Sequence, residues 1–421
     1  MKKILLFSLC LSFSGIISGQ LTVFSPTASL ALTTVPNLDG LYLFNGISTA
    51  TEITYTGAYN TVEWRDFANV LYTNTPNMSP DDGSGYILVV DGVPQMYIWV
   101  IDYALYPVEL TSLTPNTGGD DICSQLTLDV VMTAPELVYY DKNQVRHTLP
   151  RQFTLSYTDK TFASDAWTDS PETLTQTAPF TLLTVDAPFQ DVEFVLTGDD
   201  IAQQMGLVPD TVSCLYSAVA VEVHPKGTIE ERGGLNEIDR SSTTDISGSG
   251  PLVVKFESRA NTPIAAFFEW YIYNVDHPDQ FLRYIDENPR YTFQEYGRYV
   301  ARLVVSSRGG CQHTDSLNIN VLASMIDAPN VFTPNADGIN DEFRVAYRSL
   351  KTFNCRIMNR WGRVVYTSSD PAKGWDGRIN GKPASAGTYY YFIEATGTDK
   401  DSKGKYIAYK LKGDINLLID K

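Results

Sequence analysis

The last stretch of the chain, residues 328–421, combines closely spaced turn signals with short alternating apolar runs. Residues 335–341, NADGIND, contain an Asp-Gly pair and two asparagines, which are residue types that tolerate the positive φ of tight turns. Residues 389–392 form an aromatic run, whose alternate side chains supply cross-strand surface. This pattern predicts a compact module of β-strands connected by tight turns.

Several short motifs follow one another in this module. They occupy Phe332, Thr333, Pro334, Asn335, Asp337, Gly338, Asn340, Asp341, Asn359, Arg360, Trp361, Gly362, Trp375, Asp376, Gly377, Gly387, Tyr389 and Tyr390. In residue type and order the motifs resemble the gliding-motility-associated C-terminal domain, the type B cargo domain of type IX secretion. The resemblance covers residues 328–421, about 94 of the 421 residues.

The resemblance implies a route and a partner. The chain would enter the periplasm through the Sec pathway, and the type IX translocon would then recognise the C-terminal domain together with a PorP/SprF-type outer-membrane barrel. The protein would end secreted or at the cell surface, associated with the outer membrane. Most motif residues are of types that shape turns and core, so recognition would be of a folded shape rather than of a linear tag.

The composition favours sheet over helix. A chain of 421 residues is long enough for three or four domains, and its 25 tyrosines with many Thr and Val are typical of strands. We therefore expect an all-β protein of tandem immunoglobulin-like β-sandwich domains. Residues 86–90 and 95–103, on either side of the turn Asp91-Gly92, predict a β-hairpin. Residues 199–206 predict a helix of one or two turns, capped by Asp at its start and ended by Gly. The expected segments are a signal peptide at 1–19, an N-terminal β-sandwich at 20–110, a second β-sandwich at 111–235, a linker at 236–250, a third sandwich at 251–324 and the secretion domain at 328–421.

The first 19 residues have the pattern of a Sec signal peptide. Lys2 and Lys3 precede an apolar run over residues 4–13, and small residues lead to a predicted cleavage site between Gly19 and Gln20. No later run reaches about 18 uncharged apolar residues, so no transmembrane helix is expected.

The segment 251–324 resembles a polycystic-kidney-disease (PKD) type immunoglobulin-like module. The resemblance rests on Trp270 within an apolar strand, on residues 296–299 (YGRY) and on the turn at 308–311 (RGGC). Residues 274–277 (NVDH) stand where that family has Gly-Asp-Gly, which is a departure. The resemblance implies a sandwich that acts as a spacer and carries no chemistry of its own.

Charge is unevenly distributed along the chain. The net charge is −17 overall, but residues 328–421 carry 15 basic and 10 acidic side chains, a net charge of +5. Residues 20–327 carry 15 basic and 39 acidic side chains, a net charge of −24, which argues against nucleic acid as a partner. The basic domain could dock on an acidic surface, or it could simply be solvated.

Four cysteines follow the predicted leader: Cys123, Cys214, Cys311 and Cys355. An even number in an exported chain permits two disulfides, and we predict Cys123–Cys214 because both residues lie in one expected domain. Cys355 alternates with Phe353 and Ile357, so a buried, unpaired thiol is the alternative for that position.

No constellation typical of an enzyme is present in the sequence. The four histidines are isolated, and the pairs Asp81–Asp82, Asp120–Asp121 and Asp199–Asp200 are adjacent, so their carboxylates diverge along the backbone. No cofactor is expected, with calcium as the one alternative. The side-chain oxygens of Asn335, Asp337, Asn340 and Asp341 could bind calcium, or they could accept backbone N–H groups in tight Asx turns.

The sequence thus favours a non-enzymatic surface protein whose first two domains bind a surface glycan or protein, as in adhesion. Aromatic residues between Tyr86 and Tyr106, or the run Tyr389–Tyr391, could stack on sugars, although core packing and cross-strand pairing are their alternative role. A second interpretation is a structural accessory bound stably to the outer-membrane barrel of the secretion or gliding machinery. A third, a secreted glycan hydrolase, would require two acids facing one cleft.

Overall fold

The computed structural model describes residues 15–17, 20–119, 121–232, 236–242 and 244–419. The chain divides into two compact units, Met1–Ala218 and Val219–Lys421. Within the described residues, the regular structure is β-strand apart from one short α-helix and one 3₁₀ helix. The predicted signal peptide at 1–19 lies outside the described residues except for Gly15–Ile17, a short strand that pairs with the strand after it.

The first sandwich of unit 1 packs a four-stranded sheet, β1-β2-β5-β8, on a six-stranded sheet, β3-β4-β10-β9-β6-β7. Its elements are β1 (Gly15–Ile17), β2 (Leu21–Phe24), β3 (Ser29–Leu32), β4 (Gly40–Phe44), β5 (Glu52–Tyr55), β6 (Val62–Asp66), β7 (Leu71–Thr73), β8 (Asn77–Met78), β9 (Ser84–Val90), β10 (Val93–Asp102) and a 3₁₀ helix (Tyr103–Leu105). Trp64 and Phe44 are fully buried between the sheets, so alternate side chains of these strands supply the core.

The predicted hairpin of this sandwich is confirmed. The β9 and β10 strands pair antiparallel around Asp91 and Gly92, which have φ angles of 50° and 77°. Two consecutive residues with positive φ are the signature of a two-residue hairpin turn, and Asp-Gly is a preferred pair for that turn.

The second sandwich of unit 1 consists of a three-stranded sheet, β11-β12-β17, a four-stranded sheet, β16-β15-β18-β19, and the hairpin β13-β14. Its elements are β11 (Glu109–Asn116), β12 (Gln125–Thr133), β13 (Leu137–Tyr140), β14 (Arg146–Leu149), β15 (Gln152–Ala163), β16 (Ala166–Thr177), β17 (Leu182–Asp186), β18 (Val192–Gly198), α1 (Asp200–Gln204) and β19 (Asp210–Tyr216). Leu128, Phe153 and Phe194 are fully buried in it. The predicted short helix is confirmed, because Asp199 caps α1 by accepting the backbone N–H of Ala202.

Unit 2 begins with a third sandwich made of the sheets β20-β22-β25 and β21-β27-β26-β23-β24. Its strands are β20 (Lys226–Ile229), β21 (Ile246–Ser249), β22 (Leu252–Glu257), β23 (Ala265–Asn274), β24 (Phe281–Tyr284), β25 (Arg290–Phe293), β26 (Gly297–Ser307) and β27 (Gln312–Leu322). Trp270 is fully buried, and its ring packs on Phe256 at a centroid distance of 5.1 Å.

Two of the predicted boundaries are wrong. The second domain was expected to extend to residue 235, but β19 ends at Tyr216, and Val221 and Val223 are buried in the core of the third sandwich. The expected linker 236–250 contains β21, which pairs with β27 of the third sandwich. Small residues occur in this segment because the backbone packs closely: a Cβ atom at Gly248 would lie 2.3 Å from the carbonyl oxygen of Arg240.

The C-terminal domain completes unit 2. Its main sheet has the order β29-β36-β35-β31-β32, and two small sheets, β28-β30 and β33-β34, accompany it. The strands are β28 (Met325–Asp327), β29 (Val331–Phe332), β30 (Ala346–Arg348), β31 (Leu350–Met358), β32 (Val364–Ser368), β33 (Arg378–Ile379), β34 (Lys382–Pro383), β35 (Gly387–Lys400) and β36 (Tyr406–Leu417). One face of the main sheet carries Ile357, Ile393 and Ile415 into the core.

The predicted disulfide between Cys123 and Cys214 is wrong. Cys214 is a free thiol in the middle of β19, opposite Phe194 of β18, whereas Cys123 is disulfide-bonded in the turn before β12, which belongs to the other sheet of the sandwich. Cys311, in unit 2, is also disulfide-bonded. Cys355 is free and buried, and burial raises the pKa of its thiol to about 11, which supports the alternative role as a small core residue.

Candidate recognition site on the C-terminal domain

Three of the motif aromatics form the centre of the C-terminal core. Phe332 contacts Trp375 at a ring-centroid distance of 5.4 Å, and Trp375 contacts Tyr389 at 4.9 Å with the rings edge to face. The indole Nε1 of Trp375 donates to the carbonyl oxygen of Arg378 at 2.9 Å, and the Tyr389 hydroxyl donates to the carbonyl of Ser385 at 3.0 Å. These motif positions hold the fold together and offer little surface to a partner.

The Asp-Gly motif at Gly377 brings two parts of the sequence together. Gly377 has a φ of 73°, and a Cβ atom there would lie 3.0 Å from Cγ of Pro334 and 3.3 Å from the ring of Phe332. A glycine at this position therefore permits both the turn and the close approach of the motif around Pro334.

The carboxylate of Asp341 organises the loop 335–341. Its Oδ1 accepts the backbone N–H of Ala336 at 2.6 Å, and its Oδ2 accepts that of Gly338 at 2.8 Å. Ala336 and Gly338 have φ angles of 66° and 87°, so the chain turns sharply around this side chain. The loop is thereby held as a series of tight turns.

Asp337 and Asn335 complete the same hydrogen-bonded loop. Oδ1 of Asp337 accepts the backbone N–H of Ile339 at 2.8 Å, and Nδ2 of Asn335 donates to Oδ2 of Asp337 at 3.0 Å. These hydrogen bonds, led by the one from Ile339, lower the pKa of the Asp337 carboxyl. Within residues 15–17, 20–119, 121–232, 236–242 and 244–419, no group of three or more His, Cys, Asp or Glu side chains could hold a metal ion. The geometry supports the Asx-turn alternative for this loop.

A cavity of about 570 Å³ opens beside the loop 335–341. Motif residues Gly338, Asn340 and Asp341 line it together with Val331 and Arg344. The Arg344 guanidinium is engaged by Glu342 at 2.9 Å, which raises the pKa of Arg344 and keeps its charge within the wall.

The motif at 359–362 forms the turn between β31 and β32. The side-chain oxygen of Asn359 accepts the backbone N–H groups of Trp361 at 3.1 Å and Arg363 at 3.0 Å, and Gly362 has a φ of 77°. Trp361 is 74% exposed, and the guanidinium of Arg360 lies 4.2 Å from its ring centroid. This turn thus presents a large aromatic side chain to solvent.

The outer face of the main C-terminal sheet is the second exposed aromatic surface. We use the name outer face for the solvent-facing side chains of β31, β35 and β36 around Phe392. Tyr390 and Phe392, on the central strand β35, remain 44% and 45% exposed. A shallow cavity of about 470 Å³ lies on this face, lined in part by Met358, Phe392 and Lys412.

The sequence singled out Tyr390 as a motif position but missed Phe392 and the charges beside it. The available signal was the strand alternation of the run 389–392, because Tyr389 is buried, Tyr390 exposed, Tyr391 half-buried and Phe392 exposed. Motif membership alone did not separate the buried from the exposed aromatic positions.

Two of the three acidic pairs in unit 1, Asp81–Asp82 and Asp199–Asp200, have structural roles. Oδ1 of Asp82 accepts the backbone N–H of Asp102 at 2.7 Å, and Oδ2 accepts the hydroxyl of Tyr106 at 3.1 Å. Asp199 is buried against Arg151, and Asp200 accepts the backbone N–H of Gln152. Of the pair Asp120–Asp121, Asp120 lies outside the described residues. These hydrogen bonds hold turns and termini of the sandwiches in place.

The aromatic run considered for sugar stacking is mostly core. Tyr86, Trp99 and Tyr103 are buried in unit 1. Tyr97 and Tyr106 are half-buried, and Tyr106 is hydrogen-bonded through its hydroxyl to Asp82. The run therefore presents no row of flat exposed rings to a glycan, and packing accounts for it.

Comparisons with known proteins assign two parts of the chain. Residues 326–409 match the family described as "CHU_C Type IX secretion signal domain", and residues 116–213 match the family described as "Fibronectin type III domain". The chain thus carries a type IX secretion signal domain at its C-terminal end, as the motifs indicated, preceded by a fibronectin type III-like domain of immunoglobulin type. None of the curated proteins compared with this chain matches it.

Three solved structures to which the chain is similar contain tandem domains. A tetra-tandem repeat from the extending region of a large adhesion protein is 11% identical, with a TM-score of 0.20, over 89% of this chain and 98% of that one. The FN1–FN3 domains of chicken CNTN1 are 10% identical, with a TM-score of 0.24, over 74% of this chain and 97% of that one. Three N-terminal domains of the bacteriophage RB49 Hoc protein are 11% identical, with a TM-score of 0.21, over 75% and 100%.

The type IX secretion signal implies export, with handling by the type IX secretion system and a secreted or cell-surface location. In the described part of the chain, no helix has the length and apolarity that a membrane span requires. The two matched families are a secretion signal and an immunoglobulin-type module, and neither is an enzyme family.

Proposed function

We propose that this chain is a non-enzymatic cell-surface protein in which tandem β-sandwiches act in surface binding or adhesion and the C-terminal domain directs type IX secretion. The observation that carries the proposal is the secretion-domain match at 326–409, whose motif residues Phe332, Trp375 and Tyr389 build a folded core. A signal built in this way is available to the translocon only when the domain is folded.

The predicted leader and the C-terminal domain supply two successive steps of export. The signal peptide at 1–19 would direct the chain into the periplasm, where the sandwiches fold and Cys123 and Cys311 become disulfide-bonded. The folded C-terminal domain would then engage the translocon and a PorP/SprF-type outer-membrane barrel. Unit 1 and the third sandwich, including its proposed PKD-like module at 251–324, would be carried to the surface.

Surface binding is proposed for unit 1 because residues 116–213 match the fibronectin type III family, whose sandwich architecture is common among cell-surface domains. Its cores are filled by aromatic and aliphatic side chains, so a protein or glycan ligand would bind loops or strand edges rather than a deep pocket.

Deletion of residues 328–421 from the chain, with the leader retained, tests the secretion role. We expect the truncated protein to accumulate in the periplasm of a host with a type IX system, whereas the full chain becomes accessible to protease added to intact cells. The matched control is the full chain with Lys403→Glu, which changes an exposed side chain of the same domain outside the motif positions and should be displayed normally. Normal surface display of the truncated protein would contradict the proposal.

A stable complex between the full chain and the outer-membrane barrel at equal stoichiometry would instead favour the structural-accessory alternative. This alternative is supported by the exposed aromatic side chains Trp361 and Phe392 of the C-terminal domain, because exposed apolar surface is typical of interaction sites. Quantitative purification of the surface-displayed protein under mild detergent distinguishes a transient export partner from a permanent one.

A further inference from the structure

We propose that the outer face of the C-terminal sheet is the surface that docks on the outer-membrane exit machinery, and that its partner is a protein segment presenting a carboxylate beside an apolar side chain. The inference rests on the proposed function and specifies which surface of the secretion domain is recognised and by what chemistry.

Phe392 lies at the centre of this face between two cations. In the antiparallel register, Phe392 of β35 stands opposite Arg356 of β31 on one side and opposite Lys412 of β36 on the other. Directly paired residues in a sheet have Cβ atoms about 5 Å apart, so the three side chains form one row across the sheet. The row Met358–Tyr390 runs beside it and extends the apolar surface.

The two cations of the row are available to a partner. Lys410 lies two residues before Lys412 on β36 and forms an ion pair with Glu394 at 3.5 Å. Within the described residues, Arg356 and Lys412 have no carboxylate within ion-pair distance. A domain with a net charge of +5 thus concentrates two unpaired cations on either side of an exposed ring. A carboxylate placed beside Phe392 could form a charge-assisted hydrogen bond with either cation.

The exposed aromatics are uncommon for a face that only meets water. The opposite face of the same strands buries Ile357, Ile393 and Ile415, so the outer face is not needed for the core. In an antiparallel sheet with one solvated face, polar side chains usually alternate outward, whereas here the central strand carries Tyr390 and Phe392 at those positions. Aromatic and Arg side chains together are the residue types that most often dominate binding energy at protein interfaces.

Charge decides between the candidate occupants. A neutral glycan would satisfy the rings but not the two cations, whereas an acidic protein segment satisfies both. A second copy of this chain could also supply carboxylates, since residues 20–327 carry a net charge of −24. Self-association is therefore an outcome that the experiment must separate from docking on the exit machinery.

The test uses the full chain with the substitutions Arg356→Glu, Phe392→Ser and Lys412→Glu. The matched control is Lys382→Glu with Lys403→Glu, which reverses two exposed lysines of the same domain away from the outer face. Equal thermal midpoints for both proteins establish that the variants fold. We expect the outer-face variant to show about a tenfold loss of protease-accessible protein on intact cells, with the missing protein in the periplasm, and the control to be displayed normally.

A photo-crosslinking side chain, p-benzoylphenylalanine, placed at position 392 identifies the occupant. We expect a covalent adduct with an integral outer-membrane protein, and we expect Arg356→Glu with Lys412→Glu to abolish that adduct. The same probe at position 382 should give none. An adduct with a second copy of the chain or with lipid, or equal adducts at positions 392 and 382, would overturn the inference.

The deletion and the outer-face variant test the secretion role and the docking surface separately. Loss of display after deletion of 328–421, combined with normal display of the outer-face variant, would leave the secretion function standing and refute the outer face as the docking surface. Normal display of the deletion protein would refute the secretion function itself.

Discussion

Arg151 and Asp199 form a buried ion pair in unit 1, with Nε of the guanidinium 2.5 Å from Oδ2 of the carboxylate and the two side chains 3% and 0% exposed. The same guanidinium donates through Nη1 to the carbonyl oxygens of Tyr106 and Pro135, each at 2.9 Å. Oδ1 of Asp199 accepts the Tyr103 hydroxyl at 2.7 Å. The pair therefore connects the 3₁₀ helix after β10 to α1, which links the first sandwich to the second.

Arg151→Met should destabilise unit 1 strongly. The substitution leaves the Asp199 carboxylate buried without its cation, and removal of one partner of a buried pair costs about 3–5 kcal/mol. The control Arg146→Met removes an exposed pair with Glu136, whose contribution is about 0–1 kcal/mol. Urea unfolding followed by tryptophan fluorescence compares the two variants, and equal midpoints for both would contradict the structural role of the buried pair.

Tyr103 makes the stability of the same junction sensitive to alkaline pH. Burial, with the neighbouring Asp199 carboxylate, raises the pKa of its hydroxyl to about 12. The folded state thus holds the phenol proton more tightly than the unfolded state, whose tyrosine pKa is about 10. The stabilisation is complete below pH 10 and is lost as the pH rises through 12.

Urea midpoints measured between pH 9 and pH 12 check this expectation. Tyr42 and Tyr157 also have pKa values raised to about 12, chiefly by burial, so they contribute to the same loss. Tyr103→Phe removes one of these groups and should make the decline between pH 10 and pH 12 shallower. An unchanged decline in that variant would show that the Tyr103 hydroxyl titrates normally.

The sequence predicted local structure better than it predicted domain boundaries. The Asp91–Gly92 hairpin and the Asp199-capped helix follow from residues adjacent in the chain, and both occur. Val221 and Val223 show the limit, because their apolar alternation indicates burial but does not indicate in which core. The turn motifs of the C-terminal domain could also be predicted, because their residues are adjacent in the chain. Arg356 and Lys412, in contrast, become neighbours of Phe392 only through strand register, which the sequence did not reveal.

The two free thiols should differ in reactivity. Cys355 is buried with a pKa raised to about 11, while Cys214 is half-buried with a pKa raised mainly by burial. Since the thiolate is the reactive form, we expect native protein lacking residues 1–19 to react slowly with Ellman's reagent at pH 8, Cys214 before Cys355. Denaturant should release two thiols, and Cys214→Ser should leave one that reacts only after unfolding. Rapid reaction of Cys355 in the native protein would contradict its burial.

A buried polar cluster joins the C-terminal domain to the third sandwich. The hydroxyl of Ser349 donates to the carbonyl oxygen of Leu322 at 2.6 Å and accepts the backbone N–H of Gly250 at 2.9 Å, and the backbone N–H of Ser349 donates to the hydroxyl of Ser249 at 2.8 Å. The Ser249 hydroxyl in turn donates to Glu237 at 2.6 Å. Both serines are fully buried, so the segment once expected to be a linker is part of a rigid connection.

Ser349→Ala should weaken this connection. It removes the hydroxyl that accepts the buried N–H of Gly250 and donates to the partly buried carbonyl oxygen of Leu322, at a cost of about 1–3 kcal/mol. Thr352→Ala, in the exposed Thr352–Thr396 pair, is the matched control and should have a small effect. Limited proteolysis of the full chain is the measurement: we expect faster cleavage within residues 236–250 for Ser349→Ala only. Equal cleavage rates in the two variants would mean that the segment is held by other contacts.

One substitution in the loop 335–341 distinguishes a calcium site from a series of Asx turns. Asp341→Ala removes the acceptor for the N–H groups of Ala336 and Gly338, so the thermal midpoint should fall in calcium and in EDTA alike. Asp341→Asn keeps one side-chain oxygen as an acceptor, so its thermal midpoint should fall less than that of Asp341→Ala. If the loop bound calcium, the midpoint of the unaltered protein would rise on calcium addition and Asp341→Ala would abolish that rise. The carboxylate oxygens already accept backbone N–H groups. We therefore expect that the thermal midpoint of the unaltered protein, measured by calorimetry, does not change when calcium is added.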